Sequence, residues 1–426
     1  MSFSQLNLDP KISKAITYST PTDIQSRCIP EILNGKDIVA SAQTGTGKTA
    51  AFILPSLQLL SVGRSNAQKT NMPKSKAKPR ILILTPTREL ATQITQAAAT
   101  YGKFMNLNIV SLVGGMSYYQ QIRNLSRPVD IIVATPGRLL DHIRSQRVDL
   151  SQIEILIFDE ADRMLDMGFI DDVKAIAKNT PTDRQTLLFS ATVDGKLDNI
   201  IRQLLKNPVR IDLSQEKMAP AKIRQELYLT DHEQHKLRLL QYFLDEQNIY
   251  KSIIFTATKI NADKLARMLR DKNYAAAALH GDLKQNVRNR TLDQLRQGKV
   301  QILVATDVAA RGIDIDDITH VFNYDLPKFS EDYVHRIGRT GRAGRKGIAI
   351  SFALPDDNRH VKRIERYIGQ TLQQNTIAGL EPTKRFKTDK PSVGKPKFNK
   401  GKNQGGKGKE AKKRFWFKPK SKAKAH

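Results

Sequence analysis

Ala42-Gln43-Thr44-Gly45-Thr46-Gly47-Lys48-Thr49 follows directly on the apolar run Asp37-Ile38-Val39-Ala40 and leads into Ala50-Ala51-Phe52-Ile53-Leu54. The order is strand, glycine-rich turn, helix, which is the context a phosphate-binding loop requires. The glycines let backbone N–H groups close around phosphate oxygens, and the following helix N-terminus adds a favourable field for an anion. In such a loop Lys48 reaches the β- and γ-phosphates and the Thr49 hydroxyl holds Mg²⁺. Ala42 occupies the position where the usual pattern has its first glycine. A glycine-rich turn before a solvent-exposed lysine is the competing reading of the segment taken alone.

Outward from this loop, apolar runs alternate with helical stretches. Arg80 to Leu84 precedes Pro86-Thr87-Arg88-Glu89-Leu90-Ala91, and Ile109 to Val113 precedes Gly114-Gly115. Val129 to Ala134 leads to Thr135-Pro136-Gly137-Arg138, Ile155 to Phe158 to Asp159-Glu160-Ala161-Asp162, and Gln185 to Phe189 to Ser190-Ala191-Thr192. This pattern predicts a largely parallel α/β sheet, with polar groups gathered where such a sheet carries its ligands. Asp159 and Glu160 end a strongly apolar strand; paired carboxylates there suit Mg²⁺ binding around a nucleotide and the orientation of an attacking water.

Before the loop, Phe3 and Leu6-Asn7-Leu8 open a short segment ahead of Ile12, Ile16 and Tyr18, which are spaced for a small helix, and Pro21 can start another whose first turn includes Asp23. Spacing alone makes Gln25 a surface or capping residue. Residues 61 to 80 are polar and basic and read as a surface loop. Between Asn207-Pro208 and Pro220 the chain turns polar, which places a linker at residues 212 to 222.

A second α/β pattern follows, with strands in Lys251–Thr256, Ala275–Leu279, Val300–Ala305, Val321–Tyr324 and Ile348–Phe352 and helices over about 258 to 271 and 284 to 297. It has no phosphate-binding loop of its own. Arg311, Arg336, Arg339, Arg342 and Arg345 lie near glycines, an arrangement suited to phosphates.

The chain of 426 residues, 39% apolar, is long enough for two packed domains. Its single cysteine, Cys28, reads as a buried helical thiol, and no histidine–cysteine cluster suggests a metal. Met1-Ser2-Phe3-Ser4 is no secretory leader and no apolar run approaches the roughly 18 residues that span a bilayer, so a cytoplasmic protein without a membrane role is expected. The net charge of +28 calls for a polyanion such as nucleic acid or a negatively charged membrane. Residues 383 to 426 hold 17 Lys+Arg against Asp389 and Glu410, +15 of that total, with Phe415, Trp416 and Phe417 as aromatic anchors. This segment reads as disordered from about 383, and serves either as an RNA tether through phosphates and base stacking or as a solubilising tail.

Taken in order, these motifs, continued by Ile253-Ile254-Phe255-Thr256, Ala310-Arg311-Gly312-Ile313-Asp314 and His335-Arg336-Ile337-Gly338-Arg339-Thr340-Gly341-Arg342, resemble those of the DEAD-box ATP-dependent RNA helicases over residues 1 to about 370. The basic tail and short insertions resemble bacterial members. The resemblance implies two tandem RecA-like parallel-sheet domains: 1–211, binding ATP; 223–370 after the 212–222 linker; and a 371–426 extension. It implies that Ala42, Gln43, Thr44, Gly45, Thr46, Gly47, Lys48 and Thr49 bind ATP, with Thr49 and Asp159 on Mg²⁺ and Glu160 orienting water. Arg339 and Arg342 become arginine fingers. Gln25 reads the adenine edge with Phe3 and Tyr18 beside it, although Thr17-Tyr18 stands where the family commonly has Gly-Phe.

By the same resemblance Asp307, Gly312 and Asp314 belong to the second-domain coupling surface, Gly312 and Asp314 at the nucleotide and Asp314 near the ribose or the interdomain polar network, while Ser190, Thr192 and His335 couple nucleotide state to RNA. RNA contacts are expected from Pro86, Thr87, Arg88, Gly115, Thr135, Arg138, Thr256, Gly281, Thr306 and Arg311, mostly to phosphates and sugars. The implied activity is RNA-stimulated ATP hydrolysis with local unwinding of short structured RNA, in ribosome assembly or mRNA turnover. Pre-ribosomal particles or mRNA-decay assemblies would be partners, and no obligate oligomer is indicated. An ATP-gated RNA clamp or scaffold with little strand separation uses the same residues, and DNA unwinding is a third reading.

Overall fold

The protein is described by a computed structural model; the described residues are 3–42, 45–67, 78–193, 195–213, 223–246, 249–310, 317–341, 346–384 and 386. Two seven-stranded, wholly parallel sheets carry the chain. The first contains β1 (Ile38–Ser41), β2 (Ile81–Leu84), β3 (Ile109–Leu112), β4 (Ile131–Ala134), β5 (Ile155–Asp159), β6 (Gln185–Ser190) and β7 (Val209–Asp212), in the order β3-β4-β2-β5-β6-β1-β7. The second contains β8 (Ile223–Leu229), β9 (Ser252–Phe255), β10 (Ala276–Leu279), β11 (Ile302–Ala305), β12 (His320–Asn323), β13 (Gly347–Ala353) and β14 (Gln373–Asn375), in the order β10-β11-β9-β12-β13-β8-β14.

Parallel strands need helical crossovers that cover both faces, so central strands bury every side chain and read as unbroken apolar runs. β1, β2, β4, β5, β9 and β11 are buried at every position. Successive residues feed opposite faces: Ile81 and Ile83 pack into one core, Leu82 and Leu84 into the other. Because all strands run the same way, their C-terminal ends form one edge per sheet. Helices begin there, and several carry a side-chain cap: Thr87 Oγ1 accepts from Leu90 N at 3.3 Å, Ser117 Oγ from Gln120 N at 3.3 Å and Thr258 Oγ1 from Asn261 N at 3.1 Å.

Several boundaries differ from the sequence expectation. The helix after the phosphate-binding loop runs Lys48–Ala67, so residues 61–67 are helical rather than loop. Leu60 is buried there and the Ser61 hydroxyl donates to Asp9 Oδ2 at 2.5 Å; residues 68–77 lie outside the described residues. At the N-terminus a 3₁₀ turn (Phe3–Leu6) and one helical turn (Pro10–Ser13) replace the single small helix, and Ile16 and Tyr18 pack on the core without it. Thr22, not Pro21, caps the helix Asp23–Leu33.

The polar stretch read as a domain junction is flanked by β7 and β8, both inside sheets; of the expected linker, 214–222 lies outside the described residues. The second domain does not end at 370. β14 pairs with β8 (Gln373↔Glu226 to Asn375↔Tyr228), Leu372 is buried, and Asp231 accepts from Thr383 N, Thr383 Oγ1 and Lys384 N at 2.8–2.9 Å. Residues 387–426, which hold most of the expected tail, lie outside the described residues.

Candidate active site and nucleic-acid face

The loop after β1 is closed by its own polar groups. Lys48 is buried, and its Nζ donates to the Ala42 carbonyl at 2.8 Å. Gly45 and Gly47 have φ of +88° and +93°, the left-handed region that favours glycine. A Cβ on Gly47 would stand 2.5 Å from Gln25 Nε2, so the loop and Gln25 are fitted to each other. Gln25 is buried at the third position of its helix: its Oε1 accepts from Thr22 N at 3.1 Å and its Nε2 donates to the Gly47 carbonyl at 3.2 Å. Phe3 packs edge-on against Tyr18 at 5.2 Å, and the Tyr18 and Tyr101 hydroxyls are 3.2 Å apart. Gln43 and Thr44 lie outside the described residues. Thr46 and Thr49 stand half-buried on the loop, on either side of Gly47-Lys48.

Asp159 closes β5, one strand removed from β1. Burial pushes its carboxyl up to about 7; Lys48 opposes that shift and Glu160 adds to it. Glu160 takes φ 54°, ψ 53°, a left-handed conformation worth about 1–3 kcal/mol of strain in a residue with a Cβ. Its Oε2 is buried without a hydrogen-bond partner among the described residues. A buried carboxylate oxygen without a partner among the described residues, next to a second carboxyl held near neutrality and opposed by Lys48, suits a divalent cation, which Asp159 and Thr49 would hold. Among the described residues no three acidic, histidine or cysteine side chains form a complete cage of their own.

Motif spacing does not single out Asp162; its geometry does. Its Oδ2 accepts from Ala191 N and Thr192 N, both at 3.1 Å, and from Thr192 Oγ1 at 3.2 Å, while its own N donates to Ser190 Oγ at 3.3 Å. Ser190 Oγ in turn donates to the Thr192 carbonyl at 2.6 Å. One carboxylate thereby ties the acidic turn after β5 to the turn after β6.

The neighbouring Arg163 crosses to the second domain. Its Nη1 donates to Asp332 Oδ1 at 2.5 Å with both side chains buried. Burial works against the guanidinium charge, but Asp332, with Asp162 and Glu160, more than offsets it, so the pKa is raised. Asp332 lies on the helix Ser330–Ile337, which also carries His335 and is followed closely by Arg339. Arg339 is buried and its Nε donates to the His335 carbonyl at 3.2 Å; His335 Nδ1 is buried without a hydrogen-bond partner among the described residues. Arg336 does not await a phosphate. It donates to both Asp307 oxygens at 2.6 and 2.8 Å, to Asn323 Oδ1 at 3.1 Å and to the Asp325 carbonyl at 2.5 Å, and it lies over the Phe255 ring. Asp307 is thus a partner inside the second domain. Arg311, Gly312, Asp314, Arg342 and Arg345 lie outside the described residues.

On the C-terminal edge of the first sheet, Pro86, Thr87 and Arg88 follow β2, Gly115 follows β3, and Thr135 and Arg138 follow β4. A Cβ on Gly115 (φ +73°) would run into the Arg88 guanidinium. Arg88 Nη1 also donates to Gln285 Oε1 of the second domain at 3.2 Å, Gln285 Nε2 donates to Glu89 Oε1 at 3.2 Å, and Arg288 reaches Glu89 Oε1 at 2.7 Å in a buried pair. Neither Glu89, Gln285 nor Arg288 stands out by spacing; each is found through its partner across the domain seam. In the second domain Thr256, Gly281 and Thr306 follow β9, β10 and β11, the three adjacent strands at one end of that sheet. Thr256 Oγ1 donates to the Thr258 carbonyl at 3.3 Å. The face therefore combines helix N-termini, threonines, glycines and guanidiniums, groups suited to phosphates.

Residues 22–200 match the DEAD/DEAH box helicase family, and residues 235–344 match the helicase conserved C-terminal domain. The chain is 44% identical over 385 residues to the ATP-dependent RNA helicase SrmB of Haemophilus influenzae, covering 89% of this chain and 86% of that protein. It is 42% identical to SrmB of Escherichia coli, covering 91% and 86%. Among solved structures, Saccharomyces cerevisiae Dbp5 bound to RNA and ADP BeF3 superposes with a TM-score of 0.77 at 34% identity, covering 88% of this chain and 95% of that one.

Proposed function

Because this chain belongs to the DEAD-box family of ATP-dependent RNA helicases, we propose that ATP hydrolysis at the Lys48 loop is coupled through Asp162 to strand separation on the Arg88–Arg138 face. It is an enzyme that takes ATP with Mg²⁺ and acts on RNA. The observation that carries the coupling is the Asp162 carboxylate, which holds the turn of Ser190 and Thr192 against the acidic turn.

In this reading Lys48 leaves the Ala42 carbonyl for the β- and γ-phosphates, and the loop N–H groups of Gly45 to Thr49 follow them. Gln25, with Phe3 and Tyr18 near it, recognises the base. Thr49 and Asp159 would hold Mg²⁺, which would supply charge neutralisation at the phosphates. Glu160 orients water for attack, and Arg339 and Arg342 bring positive charge from the second domain as it closes. Ser190, Thr192, Asp307 and His335 transmit the nucleotide state, and Gly312 and Asp314 complete the seam. RNA phosphates and sugars are taken by Pro86, Thr87, Arg88, Gly115, Thr135, Arg138, Thr256, Gly281, Thr306 and Arg311, so base sequence contributes little. The domains divide between Leu213 and Ile223, and remodelling in ribosome assembly or mRNA turnover is the proposed setting.

ATP turnover measured with and without RNA tests the coupling, and release of a strand from a short RNA duplex tests separation. Turnover indifferent to RNA in the intact protein would overturn the coupling. RNA-stimulated turnover without strand release would leave an ATP-gated clamp.

A further inference from the structure

The expected RNA residue Arg138 does not stand alone on its helix. Tyr118, three residues beyond Gly115, stacks face to face on His142 with centroids 4.5 Å apart and planes 8° apart. Arg138 and His142 are one turn apart on the helix Pro136–Arg144, so both meet the same ring. Beyond that helix the chain reverses, with Gln146 at φ 53° and Arg147 N donating to the His142 carbonyl at 2.9 Å. The reversal brings the Arg147 guanidinium back to 5.0 Å from the Tyr118 centroid, beside Arg138 at 5.2 Å.

Two guanidiniums on one tyrosine ring repel each other, and the ring quadrupole offsets only about 0.5–2 kcal/mol per contact. The carboxylates nearby do little to help: Asp141 is 3.9 Å from Arg138, and Asp149 is taken by Lys78 at 2.6 Å. His142, enclosed with neither ring nitrogen hydrogen-bonded among the described residues, is held neutral by burial and then by Arg138 and Arg147, so it adds shape without charge. Arg138 also bears on Arg88, whose pKa is lowered by burial and by Arg288 and Arg138. Arg88 reaches the domain seam through Gln285, Arg138 bears on it from the Tyr118 ring, and Arg147, which shares that ring, is exposed.

We propose that Tyr118 and Arg147 form an outer phosphate site for single-stranded RNA, continuing the strand path beyond Arg138 down the flank of the helix Pro136–Arg144. The proposal rests on the RNA reading of Arg88, Gly115 and Arg138. A phosphate between Arg138 and Arg147 relieves their repulsion, which Asp141, 3.9 Å from Arg138, offsets only in part. Tyr119, 77% exposed beside Tyr118, offers a ring on which the next base can stack.

The test is binding by the full-length protein, with a non-hydrolysable ATP analogue, of single-stranded RNAs lengthened one nucleotide at a time at either end from the shortest that binds. Wild type should gain affinity on extension at one end only, because the outer site continues the strand past Arg138 on one side. Arg147→Ala should abolish that gain, lower affinity for the long RNAs several-fold and leave the shortest RNA unaffected. It should also reduce the slope of log affinity against log salt by about 0.7, the value for one phosphate on a single strand. Tyr118→Leu should reproduce the loss and Tyr118→Phe should not, a difference that a general packing defect would not give. Arg147→Ala binding every length with wild-type affinity and slope, or losing equally at all lengths, would overturn the outer site. Wild type binding none of the RNAs would overturn the RNA reading itself and the outer site with it.

Discussion

At the scale of single residues, Glu160 carries the sharpest consequence. Its left-handed backbone sets a buried carboxylate oxygen free of any hydrogen-bond partner among the described residues, beside an Asp159 held near neutrality. Strain of that kind persists where surrounding structure over-determines it. Glutamine has the same backbone demands and nearly the same shape, so Glu160→Gln should fold and bind ATP with RNA while turnover falls by about 10²–10⁴-fold, the range for loss of a positioned acid–base group. Single-turnover hydrolysis alongside RNA affinity measures both halves; hydrolysis at the wild-type rate removes Glu160 from the chemistry. Lys48, Asp159 and Glu160 were legible because each follows an apolar strand within a short motif. Asp162 was only half legible: its motif was plain, but its bonds reach the Ser190–Thr192 turn some 30 residues on, a distance no local pattern encodes.

Between elements, the two domains are joined by buried ion pairs, Arg163–Asp332 and Glu89–Arg288. Removing one partner of such a pair leaves a desolvated charge and typically costs about 3–5 kcal/mol, whereas replacing both by apolar groups is often neutral. Asp332→Leu should therefore depress RNA-stimulated turnover strongly, and Arg163→Leu added to it should restore part of the loss. Steady-state kinetics on the two single variants and the double variant close the cycle; strictly additive losses would mean the pair does not act across the seam. Central strands could be read from sequence because both of their faces are buried. β7 (Val-Arg-Ile-Asp) and the first half of β8 (Ile-Arg-Gln-Glu) present polar side chains, and β14 is Gln-Gln-Asn. They are strands by virtue of their neighbours, which local composition does not report. Arg336 was misread for a related reason: a guanidinium near glycines suggests phosphate until Asp307 is found against it.

For the whole molecule, positive charge is concentrated in the tail without being confined to it. Residues 388–426 hold 14 Lys+Arg against Asp389 and Glu410, a net +12, whereas the segment up to Lys384 is fastened to Asp231. Deleting 388–426 should leave the unfolding temperature and the ATPase rate at saturating RNA unchanged while weakening RNA binding and flattening its salt dependence. A deletion beginning at 371 should instead lower the unfolding temperature, because it removes β14 and exposes the edge of β8. Unchanged affinity and slope in the first deletion would make the tail a solubilising appendage. The position of β8 also orders events during synthesis. The first sheet has all its strands once residue 212 has been made, but β8, the earliest strand of the second sheet, pairs only with β13, 124 residues later at Ile223↔Gly347, and with β14. As the chain leaves the ribosome, the first domain can therefore close while β8 still waits with both edges bare, a template for the wrong strand. Translation-arrested chains probed with protease should show a resistant first domain long before any resistance in the second, and the interval between the two is the window in which β8 can pair with a wrong strand.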